Sequence, residues 1–168
     1  MTASYPQRFG CYAEFDTTDH PEVMVRSGIS YVDMAGASNN LSNEIMEPFG
    51  WNFEAVRKHQ SDRWNNILHR VRIYSNDYRE KVRFYTNLYR AFCRNTFSDA
   101  DRRWVDAAGN IQKLDDPDAG ALGCDAFWNT FWNLNQVWNL IAPEWSSRWV
   151  KSQLAMYDAN GWLAKGPS

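Results

Sequence analysis

The chain has 168 residues, 44% hydrophobic and 23% charged, with a formal net charge of -2. This suits one compact soluble domain or parts of two and excludes a disordered or collagen-like chain. No uncharged apolar run approaches the roughly 18 residues of a membrane span, and residues 1–6 lack the charged and apolar regions of a secretory leader, so the chain taken as intact reads as cytosolic.

In chain order, Phe9, Cys11, Ala13 and Phe15 alternate onto one side and predict a strand over 9–16. A β-branched stretch predicts a second over 22–32, with Gly28 as a bulge and residues 17–21 as the turn. Two strands alone leave long edges unpaired, so this portion is expected to belong to a larger sheet. From Phe53 the period becomes helical. Phe53, Val56, Gln60, Trp64, Ile67, Leu68 and Val71 share one face, and Tyr78, Val82, Tyr85, Leu88, Tyr89 and Phe92 repeat the pattern beyond Ser75, Asn76 and Asp77. The sequence Ala108-Gly109-Asn110 predicts a hairpin turn within 105–112, followed by an acidic, Gly-rich loop over 114–123. Two further helices are expected at about 125–141 and 144–158, with Pro143 tolerated in a first turn and Asn160-Gly161 ending the second. The order of elements predicts a mainly α chain with a small β portion, a sheet domain leading into an all-α domain.

Charge is uneven: residues 1–56 carry -6, residues 57–98 carry +7 and residues 99–168 carry -3. The central arginines spread along two predicted helices without a nucleic-acid motif, so this block reads as a solvated helix face and no nucleic-acid partner is expected. Cys11, Cys93 and Cys124 are an odd number without metal-ligand spacing and read as ordinary buried thiols. His59 and His69 on the basic helix have no nucleophile beside them, and His20 sits next to Pro21 in a turn, so acyl transfer is not supported.

Nine tryptophans and 15% aromatic residues exceed what a core of this size needs. On a helix over 127–139, Asn129, Asn133 and Gln136 would share one stripe with Trp132 inside it and Trp128 beside it. Phe127, Phe131, Leu134, Trp138 and Ile141 would form a separate apolar stripe. A sugar can lay its C–H face on indole while amides meet its hydroxyls, so Trp128, Asn129, Trp132, Asn133 and Gln136 are candidate substrate-binding residues. On composition alone the core reading of such a stripe is favoured. Asp99 and Asp101 form a close carboxylate pair, suited to glycosidic chemistry or calcium, or more commonly to a turn neutralised by Arg102 and Arg103. Asp125 reads as an N-cap.

Several stretches resemble glycoside hydrolase family 92, the calcium-dependent exo-acting α-mannosidases. Arg26-Ser27-Gly28-Ile29-Ser30-Tyr31-Val32-Asp33, with Ala37 and Asn40-Leu41, resembles the end of that family's N-terminal β-sandwich. Phe84-Tyr85-Thr86-Asn87-Leu88-Tyr89-Arg90 and Phe97-Ser98-Asp99-Ala100-Asp101-Arg102-Arg103-Trp104 are similar to its first barrel helix and the serine-aspartate loop that follows. Trp128-Asn129-Thr130-Phe131-Trp132 falls where the family often has Trp-Asp-Thr-Phe-Arg. Ser152-Gln153-Leu154-Ala155-Met156-Tyr157 with Gly161-Trp162-Leu163 resembles the next helix and its exit.

The resemblance implies sandwich strands over 1–35, a helical linker over 36–76 and the first helices of an (α/α)6 barrel over 77–168. It implies an inverting glycosidase that removes terminal α-linked mannose from N-glycans or mannans, in a parent that is periplasmic, cell-surface or secreted. Catalytic carboxylates and calcium ligands are then expected beyond Ser168, so no catalytic or metal residue is assigned here. Asp99 and Asp101 are counted with Trp128, Asn129, Trp132, Asn133 and Gln136 as candidate substrate-binding residues, in a loop near the glycan. The alternative is a non-catalytic carbohydrate-binding or helical interaction module. Asn129 and Trp132 replace an acid and an arginine of the family pattern, and Arg102 stands where a glycine is common.

Overall fold

The computed structural model describes residues 12–94, 96–116, 122–123 and 127–163, with side chains of the last segment from Thr130 onward. Among them the chain is mainly helical with one two-stranded antiparallel sheet, and no helix is long and apolar enough to cross a membrane.

Residues 12–32 hold no strand, which differs from the expectation for 12–16 and 22–32; residues 9–11 lie outside the described residues. A strand exists only with a ladder partner, and this stretch pairs with none among the described residues. Side chains hold it instead. The Arg26 guanidinium lies 3.5 Å from the Trp51 ring centre and donates through Nη1 to the Gly50 carbonyl at 3.0 Å. Asn40 Nδ2 donates to the Ile29 carbonyl at 2.8 Å. Gly28 forms no bulge: a Cβ there would lie 2.2 Å from the Ala37 carbonyl oxygen, so a bare backbone is what permits this close approach.

Helix α1 (Met34–Leu41) starts at Asp33, whose extended backbone and Oδ1, accepting from Gly36 N at 2.5 Å, make an N-cap. It runs into a π-helical turn (Ser42–Met46) and a short α2 (Glu47–Phe49). Gly50, at φ 56° and ψ -127°, then turns the chain, with Asn52 N bonded to the Phe49 carbonyl at 3.0 Å. That backbone region is open essentially to glycine alone.

Helix α3 (Phe53–Leu68) is capped by Asn52, and α4 (Tyr78–Phe92) by Asp77. The predicted face through Val71 is cut short at Leu68, after which single turn bonds carry the chain to Val71. Strands β1 (Arg103–Val105) and β2 (Ile111–Lys113) pair with Trp104 opposite Gln112. The Asp106 carboxylate organises their turn, accepting from the Ala108 and Asn110 amides and from the Gln112 side chain. Those bonds hold its carboxyl below the usual range, the Gln112 side chain acting most strongly.

The helix expected at 125–141 is two pieces: a 3-10 segment (Phe127–Trp132) and α5 (Leu134–Ile141). Residues 124–126, including the expected cap Asp125, lie outside the described residues. Helix α6 (Pro143–Asn160) begins at Pro143 and ends at Gly161, close to the predicted limits. The core joins α4, the hairpin, α5 and α6 through Leu88, Phe92, Trp104, Trp138, Trp149 and Met156. Trp138 is 1% exposed and its indole N–H donates to the Ala91 carbonyl at 3.0 Å. Several tryptophans are therefore core, so part of the aromatic surplus is structural.

Arg102 has φ 72°, the left-handed region, at the position where the resembled family often has glycine. Its amide donates to the Asp99 carbonyl at 2.8 Å, its carbonyl accepts from Leu114 N at 3.1 Å, and Nη1 reaches the Asp115 carbonyl at 2.7 Å. The left-handed conformation costs a non-glycine residue about 1–2 kcal/mol. Replacing Arg102 by Gly relieves it at the expense of one exposed hydrogen bond and some chain entropy. Thermal unfolding should show Arg102→Gly between unchanged and about 1 kcal/mol more stable, whereas Arg102→Val, β-branched, should lose about 1–2 kcal/mol.

Candidate functional site

The aspartate loop between α4 and β1 is shaped by backbone bonds that close on themselves: Asp99 N donates to the Arg103 carbonyl and Arg102 N to the Asp99 carbonyl, both at 2.8 Å. At its centre the Asp99 carboxylate is 6% exposed. Ser30 Oγ donates to Asp99 Oδ2 at 2.6 Å and Asn40 Nδ2 to Oδ1 at 3.0 Å. Asn40 also accepts from the Ala100 amide through Oδ1 at 2.8 Å, so one buried amide joins α1 to the loop twice. A Cβ at Gly36 would lie 2.2 Å from Asp99 Oδ2 and 2.7 Å from Ser30 Oγ.

Around this buried centre runs a more exposed ring of charge. Arg103 Nε donates to Asp101 Oδ2 at 2.6 Å and Nη1 to Asp33 Oδ2 at 3.0 Å, so one guanidinium bridges the cap of α1 and the loop. Asp33 is held below its ordinary range by the Gly36 amide first and by Arg103 second. Burial pushes Asp101 upward, but the side-chain and backbone bonds of Arg103 outweigh it and leave its carboxyl lowered. Arg103 is raised in turn, chiefly by Asp101.

The paired aspartates thus face different partners: Asp99 turns inward to Ser30 and Asn40, and Asp101 turns to Arg103. Of the two arginines predicted to neutralise them, only Arg103 does so; Arg102 serves a carbonyl instead. Ser30, Asp33, Gly36 and Asn40 were missed as members of this site. The spacing Asp33-x-x-Gly36, an N-cap pattern, was the available local signal.

In the Trp-rich segment, Asn133 at φ -156° breaks the helix, so Trp132 and Gln136 do not lie on one continuous stripe. Trp132 is 67% exposed and Phe131 60%, their rings edge to face at 5.9 Å. Phe131, expected in the packing stripe, is therefore at the surface; the change from 3-10 to α geometry rotates it away from Leu134, Trp138 and Ile141. Gln136 Nε2 donates to the Phe131 carbonyl at 2.7 Å, closing the 3-10 segment onto α5. Asn133 is exposed at the junction and makes no capping bond. The side chains of Trp128 and Asn129 lie outside the described residues.

A separate groove of about 430 Å³ opens between residues 23–27 and the α2–α3 corner, lined among others by Val25, Arg26, Ile45, Trp51 and Phe53. Among the described residues, no three or more His, Cys, Asp or Glu side chains gather where they could hold a metal ion. Cys93 is exposed rather than buried, at the end of α4 where Tyr89 meets it; Cys11 and Cys124 lie outside the described residues.

The glycosyl hydrolase family 92 catalytic-domain family model matches residues 36–168. No curated protein sequence matches the chain. Among solved structures, a family GH92 alpha-mannosidase from Bacteroides thetaiotaomicron is 28% identical with a TM-score of 0.67, covering 77% of this chain and 17% of that one. The same enzyme in complex with mannoimidazole gives 27% identity and a TM-score of 0.67, covering 77% and 16%. A GH92 family glycosyl hydrolase, ccman5, shares the fold at 22% identity and a TM-score of 0.64, over 82% of this chain and 19% of that one. The chain thus spans under one fifth of the length of these neighbours.

Two outcomes follow from this geometry. Asp33 and Asp101 titrate lower in the folded chain than the ordinary 3.8. Their stabilisation is present above that value and is lost as pH falls through the folded values. Arg103→Met should raise both carboxyls toward the ordinary value, lower stability at neutral pH and move acid unfolding, followed by tryptophan fluorescence, to higher pH. In denaturant titrations Trp138→Ala should cost about 3–5 kcal/mol and Phe131→Ala less than about 1 kcal/mol, reversing the equal burial that a continuous helix implies.

Proposed function

The chain belongs to glycosyl hydrolase family 92, and from this premise we propose that it is part of an exo-acting α-mannosidase that removes terminal α-linked mannose from N-glycans or mannans with inversion. The observation that carries the reading is the family match across residues 36–168, supported by the fold shared with a GH92 alpha-mannosidase that binds mannoimidazole. In this proposal residues 1–35 adjoin a β-sandwich, where 12–32 would take strand form only if that sheet supplied a ladder partner, 36–76 form the helical linker and 77–168 begin an (α/α)6 barrel. The carboxylic acid that protonates the leaving oxygen and the carboxylate that activates water come from segments beyond Ser168.

This chain's own contribution is a wall of the glycan cleft. The exposed indole of Trp132 offers its apolar face to the C–H side of a sugar ring, with Phe131 set edge-on behind it. Asn133, exposed at the junction, adds an amide, and Gln136 fixes the 3-10 segment that presents Trp132; Trp128 and Asn129 remain substrate-binding candidates from the sequence alone. Asp99 and Asp101 keep the 99–103 loop in shape, and in this proposal that loop borders the cleft. Calcium, implied by the family resemblance, finds no ligand set among the described residues.

The test is a polypeptide of the neighbours' length containing this chain, assayed for mannose release from α-mannosides with the anomer of the product read by NMR. Release of β-mannose is expected from that protein, and no turnover from residues 1–168 alone. Trp132→Ala or Asn129→Ala should lower kcat/KM by about ten- to a hundredfold, one good contact of about 1.4–2.7 kcal/mol. Failure of the longer protein to release mannose from any α-mannoside overturns the proposal.

A further inference from the structure

We propose that Ser30, which lies ahead of the family-matched residues 36–168, is a positioning residue for the 99–103 loop, acting through Asp99. Its consequence for catalysis rests on the reading that this loop borders the glycan cleft. The Ser30 hydroxyl donates to Asp99 Oδ2 at 2.6 Å, and its oxygen accepts from Val32 N at 2.9 Å and Asp33 N at 3.3 Å. The two backbone amides aim the hydroxyl, leaving its single proton for the carboxylate.

Asp99 is nearly inaccessible to water, so water cannot readily replace a lost donor. The space beside this bond admits no side chain at position 36, which keeps the hydroxyl and the carboxylate in register. The Asp99, Ala100, Arg102 and Arg103 amides all bond within the loop or to Asn40. Their protection therefore reports how firmly Asp99 is held.

The experiment compares Ser30→Ala and Ser30→Thr in the 168-residue chain by amide hydrogen exchange. Ser30→Ala should speed exchange at residues 99, 100, 102 and 103 by about ten- to a hundredfold, leave Leu88, Phe92 and Trp149 unchanged, and be reversed by Ser30→Thr, which keeps the hydroxyl. In the longer protein Ser30→Ala should lower kcat/KM at constant folded fraction, with Ser30→Thr restoring it. Unchanged loop exchange, equal acceleration in the helices, no rescue by Ser30→Thr, or a loosened loop with unchanged kcat/KM would each overturn the proposal. Absence of mannosidase activity in the wild-type longer protein would instead count against the reading of the cleft, and the exchange result alone would decide the role of Ser30.

Discussion

A carboxylate taken out of water must be met by donors fixed in place, and Asp99 is met by two from different parts of the chain. Meeting that requirement organises much of the N-terminal half of the structure. Ser30 brings in the extended segment, Asn40 brings in α1, and the bare backbone of Gly36 leaves room for the bond between Ser30 and Asp99. Arg103 repeats the arrangement nearer the surface with Asp33 and Asp101, where a screened ion pair contributes less than a buried bond. The inner bonds carry the specificity of the arrangement, and the outer ones tie its rim.

What was legible in the sequence is what depends on neighbours in the chain. The period of Tyr78, Leu88 and Phe92 describes α4, Ala108-Gly109-Asn110 describes the hairpin, and Pro143 and Gly161 delimit α6. What was not legible depends on partners far away. The β-branched residues of 22–32 have strand propensity, but propensity does not supply the pairing edge, and Arg26 and Ser30 find partners in the turn after α2 and in the aspartate loop instead. The π-helical turn over Ser42–Met46 has no composition signal of its own.

The candidate site divides in the same way. A helical wheel drawn through 127–139 assumes one continuous helix, and Asn133 ends that assumption with a single backbone angle. Trp132, a substrate-binding candidate by residue type, stands exposed, and so does Phe131, one position earlier, which the wheel assigns to the packing stripe. The aspartate pair was found from its spacing, but the direction of each carboxylate was set by Ser30, Asn40 and Arg103, two of which lie about 60 to 70 residues away. Residue type identified the chemistry available; long-range geometry determined which of it faces outward.

The bond between Ser30 and Asp99 spans 69 residues, and that separation bears on the order in which the molecule assembles. Closing a flexible loop of this length costs about 4 kcal/mol in chain entropy beyond a constant term. The contacts of α5 with α6, and of β1 with β2, join near neighbours and form without that cost. Helices and hairpin are therefore favoured to condense first, and the aspartate loop takes its final shape only when the N-terminal segment arrives. A chain synthesised from its N-terminus holds Ser30 ready long before Asp99 emerges, so this contact waits on a residue made some 70 positions later and then on the closure of the loop between them.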